Sequence, residues 1–267
     1  MSITAQEKLM YEVMKSVYDS GIPISFKGSM VLKACLIEAG YPEDIRHTFD
    51  IDANWYSDTS PSADQMTISL QKALDRNGLD LDIKLNRMYG EGRSAGFKLF
   101  DRSSGEELFT MDMDVNRHPV QTRIYEVDGL RFSGASPDSM ITDKIVSISS
   151  DKVFRRIKDV IDLYYISRVF SFDKEVFMSA LQKSERPMGD FSGFLNRKED
   201  LRHAYEKFRL SGNVKKVPFE EVYSAVRRYI REILPISNNT LEMMDKSMNN
   251  VNEGKAGKAV GVSKFNE

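Results

Sequence analysis

The sequence predicts an α+β fold, a mixed sheet followed by a helical domain. Two observations predict it. Up to about residue 132, short strand-like runs mix with helical stretches, whereas from Pro137 onward only helical periodicity remains. Strand-like runs also carry aspartates at alternate positions, Asp50 with Asp52 and Asp112 with Asp114, which sets each pair on one face of its strand.

The elements follow in chain order. Apolar positions Ile3, Leu9, Met10, Val13, Val17 and Tyr18 predict a first helix over 3–19, stopped by Gly21. Residues 23–27 read as a short strand running into Gly28-Ser29, and a helix follows over 30–39 until Gly40-Tyr41-Pro42 ends it. Residues 49–55 alternate apolar and polar and predict a strand. A loop over 57–64 caps a helix over 63–77. Strands are then expected at 79–88, 95–101 and 107–115, the last two joined by a hairpin turn at 102–105, with one more short strand at 127–132. Helices are expected at 137–150, 152–170, 173–184, 190–209 and 218–233. The expected domains are residues 1–135 for the sheet, 136–235 for the helices, and a partly disordered extension at 236–267.

Bulk properties narrow the class. With 41% hydrophobic and 29% charged residues, 267 residues describe an ordinary globular protein with a sizeable core. Residues 1–150 carry an acidic excess and 151–235 a basic one, a split that suits a divalent cation on one side and phosphates on the other. A single cysteine, Cys35, excludes an internal disulfide and points to a reducing, cytoplasmic setting. Three scattered histidines argue against a zinc site or a catalytic triad. The first helix carries Glu7, Lys8, Glu12 and Lys15, unlike a signal peptide. No apolar run approaches the ~18 residues of a membrane span, so no membrane partner is expected.

The chemistry concentrates in the stretch from Phe26 to Trp55. A strand carrying Asp50 and Asp52 projects both to one face, with Ile51 on the other. Two carboxylates so close resist ionising together unless a cation neutralises them, and magnesium, or manganese in its place, prefers carboxylate and phosphate oxygens. Gly28 lets backbone approach a phosphate, and the helix start beside Ser29 offers free N–H groups. Metal-held carboxylates beside a phosphate turn describe phosphoryl or nucleotidyl transfer from a nucleoside triphosphate. A third acid is expected on a neighbouring strand, where Asp112 and Asp114 share one face and sequence does not choose between them.

Lys27-Gly28-Ser29-Met30, followed by Arg46-His47-Thr48-Phe49-Asp50-Ile51-Asp52, resembles the polymerase-β-like nucleotidyltransferase superfamily. Lys144 on a later helix, and then Arg156-Ile157-Lys158-Asp159-Val160-Ile161-Asp162-Leu163, make the chain similar to the AbiEii/AbiGii group within it, the toxins of AbiE-type toxin–antitoxin systems. The resemblance covers roughly residues 20–170. It implies a magnesium-dependent nucleotidyltransferase toxin with a cognate antitoxin, whose acceptor is RNA, such as tRNA, or a protein hydroxyl. In that reading Asp50, Asp52, Asp112 and Asp114 are candidates for metal and catalysis, joined by Lys144 and Asp159. The candidates for nucleotide binding are Lys27, Gly28, Ser29, Arg46, Thr48, Lys144 and Asp162. Two alternatives stand beside it: a kinase-like or protein-modifying transferase at the same site, and an inactive partner-binding module.

Overall fold

The computed structural model describes residues 2–90, 93–116, 121–184, 186–208, 210 and 214–234; the extension expected at 236–267 lies outside them. The chain divides into two compact units, residues 1–226 and 227–267, and the site described below lies wholly in the first.

Each element starts where its capping chemistry allows. Thr4 opens α1 (Ala5–Asp19) with a capping box: its hydroxyl accepts from the Glu7 amide while the Glu7 carboxylate accepts from the Thr4 amide. The face bearing Met10, Tyr11, Val13, Met14 and Val17 is buried. The strand β1 (Ile24–Lys27) runs straight into α2 (Gly28–Glu38). After β2 (Asp50–Trp55), Ser62 and Gln65 form a second capping box on α3 (Ala63–Arg76). Three strands follow, β3 (Leu81–Tyr89), β4 (Ser94–Asp101) and β5 (Glu107–Val115), and then the pair β6 (Thr122–Val127) and β7 (Leu130–Ala135). Ser136 caps α4 (Pro137–Ile148), with proline at its first turn where no amide is needed. The helices α5 (Ile157–Ser167), α6 (Lys174–Ser184), α7 (Ser192–Asn196), α8 (Lys198–Lys207) and α9 (Phe219–Ile233) complete the described chain.

The seven strands form one mixed sheet in the order β3-β4-β5-β2-β1-β7-β6. β2 lies antiparallel to β1 and parallel to β5, and β1 lies parallel to β7. The sheet is two-faced, as period-2 patterning requires. Phe26, Ile51, Ala53, Phe97, Leu99, Met111 and Met113 are buried on the core face, where α1 and α3 pack. On the opposite face, register sets Asp52 beside Asp112 and Asn54 beside Asp114. The predicted α+β class is the observed one.

Three expectations need correction. The single strand expected at 127–132 is a hairpin, β6 and β7, turning at Asp128-Gly129 with φ of 49° and 78°. Asp-Gly is the preferred two-residue turn between strands, so residues 128–129 bend the chain rather than extend it. The helix expected at 152–170 begins as a 3-10 turn, Val153–Arg156, before α5. The helix expected at 190–209 is two helices, α7 and α8, broken at Arg197, and it starts only after Phe191 adopts φ of 62°. Gly193 packs against the carbonyls of Ser150 and Asp151 so closely that a Cβ would have no room.

Candidate active site

The site begins with one glycine. Gly28 has φ of +73°, a conformation that favours glycine, and a Cβ there would lie 2.9 Å from Asp52 Cγ and closer still to Oδ2. The start of α2 therefore presses directly on the second acid of β2. A hydroxyl chain ties the same turn to the first acid. Thr48 Oγ1 donates to Asp50 Oδ1 at 2.9 Å, so the buried Ser29 hydroxyl, which contacts Thr48 Oγ1, is left to donate to it. The expected neighbours Gly28, Ser29, Thr48, Asp50 and Asp52 stand together.

The acids differ in how far they are compensated. Burial, and then the charges of Asp50 and Asp112, push the Asp52 carboxyl up to about 7 against the opposing pull of Lys27 and Lys144. Asp114 is already engaged: it pairs with Lys27 and accepts from Ser94 Oγ at 2.6 Å. Asp112 stands beside Asp52 in register, in a loose ion pair with the largely exposed Arg87 at 3.7 Å and close enough to Tyr89 that, after burial, its charge helps raise that phenol above its ordinary range. Among the described residues, no three carboxylate, imidazole or thiol groups already converge as a metal cage. Magnesium seldom needs one, since it is usually held by one or two carboxylates with substrate phosphates completing its shell. An all-oxygen pair carrying excess negative charge beside a phosphate-sized turn fits that description.

Facing the acids across the cleft is an ionic network of opposite character. Arg46 forks onto Asp162 with two bonds of 2.9 Å. Lys144 donates to Asp162 at 2.7 Å and to Asp159 at 3.3 Å, and Arg156 reaches Asp159 at 2.7 Å. The three-residue spacing puts both aspartates on one face of α5, opposite Lys144 on α4. Burial alone would raise Asp162, yet Lys144 and Arg46 hold it well below the usual carboxylate range. Burial would depress Lys144, yet Asp162 and Asp159 raise it above its ordinary value.

Between these walls lies a cleft of about 520 Å³, the size of a nucleotide site, lined by Lys27, Ser29, Asp50, Asp52, Lys144 and Lys158 among others. Arg155 and Lys158 line it too, and neither makes an ion pair or side-chain hydrogen bond in the described structure. Sequence reasoning missed Asp143 and Arg186, which pair with each other at the rim; nothing in their local pattern marks them. It also missed Gly96 and Arg87. Gly96 stands opposite Asp112 because the β4–β5 register shifts by one residue between Leu99 and Phe100; counting outward from the turn at 102–105 would have set it opposite Met111, on the other face.

No family model matches the chain, and no curated protein matches it either. Solved structures do. The nucleotidyltransferase toxin MenT4 from Mycobacterium tuberculosis H37Rv superposes with a TM-score of 0.51 at 13% identity, covering 90% of this chain and 86% of its own. An antigenic nucleotidyltransferase-like protein from Paracoccidioides brasiliensis gives a TM-score of 0.44 at 17% identity, over 75% of this chain and 92% of its own. Among the described residues no helix is long and apolar enough to cross a membrane. The likeness to the mycobacterial toxin over nine-tenths of the chain gives the fold its name: this chain has a nucleotidyltransferase fold.

Proposed function

We propose that this cleft transfers a nucleotide from a nucleoside triphosphate to a hydroxyl acceptor, and that the protein acts as the toxin of a toxin–antitoxin pair. One observation carries the enzymatic reading: Asp52, under-compensated beside Asp50, is pressed against Gly28 at the start of α2, opposite a rim with free basic side chains. The Ser29 turn and the first amides of α2 receive the triphosphate, with Arg155 and Lys158 answering its charge. Asp50 and Asp52 hold a divalent cation, magnesium or manganese; when bound, it neutralises charge on the phosphates and on the departing pyrophosphate.

The acceptor oxygen forms a bond to the α-phosphorus as the bond to the β-phosphate bridging oxygen breaks. Pyrophosphate leaves with the electron pair, and the hydroxyl proton passes to Asp112. We favour Asp112 as the third acid because Asp114 is held tightly by Lys27 and Ser94, whereas the cation beside Asp112, Arg87, stands 3.7 Å away. Arg46, Asp162, Lys144 and Asp159 act together as positioning residues that fix the Arg46–Asp52 segment against α4 and α5. Toxin behaviour, a cognate antitoxin and an RNA acceptor such as tRNA complete the proposal, on the strength of the motif resemblance and of the fold shared with a toxin.

The test is radiolabel transfer to bulk RNA and protein with α- and γ-labelled triphosphates and magnesium. Transfer of the α label alone, lost by at least a thousandfold in Asp52→Asn, is expected. Transfer of the γ label would replace this reading with a kinase. Induced expression should arrest growth with the wild type and spare it with Asp52→Asn.

A further inference from the structure

The acid-bearing face of the sheet does not stop at β5. Across β4 the position opposite Asp112 is Gly96, and a Cβ there would lie 3.1 Å from both Arg87 Cγ and Asp112 Oδ1. The missing side chain lets Arg87, on the edge strand β3, lean over β4 towards the candidate base. Arg87 also stacks on Tyr89, with 5.2 Å between its guanidinium carbon and the ring centroid. Further along the same face, Lys84 sits 4.6 Å over the Phe100 ring, and Lys98 is its register partner. Tyr89 is 38% exposed, and the Arg87 side chain 62%. Two cation–ring pairs, Lys84 with Phe100 and Arg87 with Tyr89, thus line an open strip, and the second of them lies beside Asp112.

The position of this strip matters as much as its composition. The triphosphate side of the cleft is at Ser29 and the α2 start, on the β1 side of Asp52. In-line displacement brings the acceptor from the side opposite the leaving group. That side is β5, β4 and β3.

We propose that Tyr89, Arg87 and Lys84 form the acceptor subsite, and that it takes the end of a single-stranded nucleic acid. Tyr89 stacks on a base near the terminus, Arg87 answers the adjoining phosphate, and Lys84 answers a phosphate further along. Sequence-tolerant stacking on an aromatic ring, interleaved with cations, is how single strands are held. A protein hydroxyl would bring neither the extended π-faces nor the regular anions that this strip matches. The proposal rests on the nucleotidyl-transfer reading for its orientation, but its test does not.

A 5′-fluorescein-labelled single-stranded RNA of about a dozen nucleotides is titrated with the full chain, without triphosphate, and followed by anisotropy; the matching DNA strand is a second probe. Stacking of one base is worth 1–3 kcal/mol, so Tyr89→Ala should weaken binding by about tenfold while Tyr89→Phe binds as the wild type does. Arg87→Ala should weaken binding and flatten its salt dependence by about one phosphate contact. Equal affinity for wild type, Tyr89→Ala and Arg87→Ala would overturn the proposal, as would a wild type that binds neither strand. Loss in Tyr89→Phe as large as in Tyr89→Ala would overturn the stacking role. Because these side chains sit exposed on an edge strand, thermal melts should match the wild type and confirm that each variant folds. Magnesium-dependent binding of ATP, GTP, CTP or UTP, measured on the same samples, reports separately on the reading it rests on.

Discussion

The two walls of the cleft use the same side chains to opposite ends. On β2, Asp50 and Asp52 lie two residues apart with too few cations nearby, and Asp52 is driven up to about 7. On α5, Asp159 and Asp162 lie three apart and share Arg46, Lys144 and Arg156, so Asp162 is held well below its ordinary range. Around Asp52 the positive charge falls short of what burial and its acidic neighbours demand, whereas the second pair is saturated with it. A carboxylate pair in a sequence is therefore not a metal site by virtue of its spacing; what decides is whether the fold has already supplied the counter-charge. The β2 pair is left for a ligand to satisfy, and the α5 pair holds the segment that delivers Arg46 and Thr48.

The largest effect should come from breaking the saturated wall. Asp162 is almost fully buried, and its removal strands Arg46 and Lys144 without a partner. Asp162→Ala should cost about 3–5 kcal/mol of folding stability, the usual result of orphaning a buried charge. Urea denaturation measures it. Asp52→Asn, by contrast, should abolish transfer with no loss of stability. If Asp162→Ala unfolds at the wild-type urea concentration, the network is not structural and the contrast between the walls fails.

A smaller effect is expected where the turn meets the acid. Gly28→Ala places a methyl against the Asp52 carboxylate in a backbone conformation that alanine resists. Either Asp52 or the start of α2 must shift by about 1 Å. Misplacement on that scale should lower kcat by about a hundredfold, while Gly21→Ala, at a similar φ of +68° with open space around it, should leave kcat unchanged. Equal losses in both would show that backbone strain, not the contact with Asp52, governs position 28.

The fold and the acidic wall were legible because both depend on local pattern. Period-2 alternation put Asp50 with Asp52, and Asp112 with Asp114, on one face of each strand; the register then sets the two pairs side by side. The Asp128-Gly129 hairpin was legible in principle, since its turn chemistry stands in the sequence, but the short strand β6 was absorbed into the loop before it. The residues of the saturated wall were named from the motif resemblance, but that they satisfy one another was not legible. Arg46 and Asp162 are 116 residues apart, and no local periodicity states that one guanidinium crosses from the β2 approach to α5. The same holds for Arg87, whose reach to Asp112 depends on a glycine from a third strand. Long-range charge pairing is a property of the packing, and so the division of labour between two similar aspartate pairs becomes visible only there.

The subtlest test concerns pH and metal at the unsaturated wall. The Asp52 carboxyl titrates near 7 when folded, against about 3.9 in an unfolded chain. Between those values the folded state holds a proton that the unfolded state has released, so stability falls as pH rises through that window and levels off above about 7. This one group should remove about 2 kcal/mol between pH 4 and pH 8, less than the full shift implies because Asp52 is partly exposed to solvent. Asp52→Asn carries no such proton, so its stability relative to the wild type should grow across the same window and be greatest at pH 8. Magnesium at pH 8 should restore the wild type, since a bound cation replaces the proton, and should leave Asp52→Asn nearly unmoved. Urea titrations at pH 5 and pH 8, with and without magnesium, give all four values. A wild type whose midpoint ignores both pH and magnesium would mean that Asp52 is already neutralised within the fold, and the two walls would then be alike.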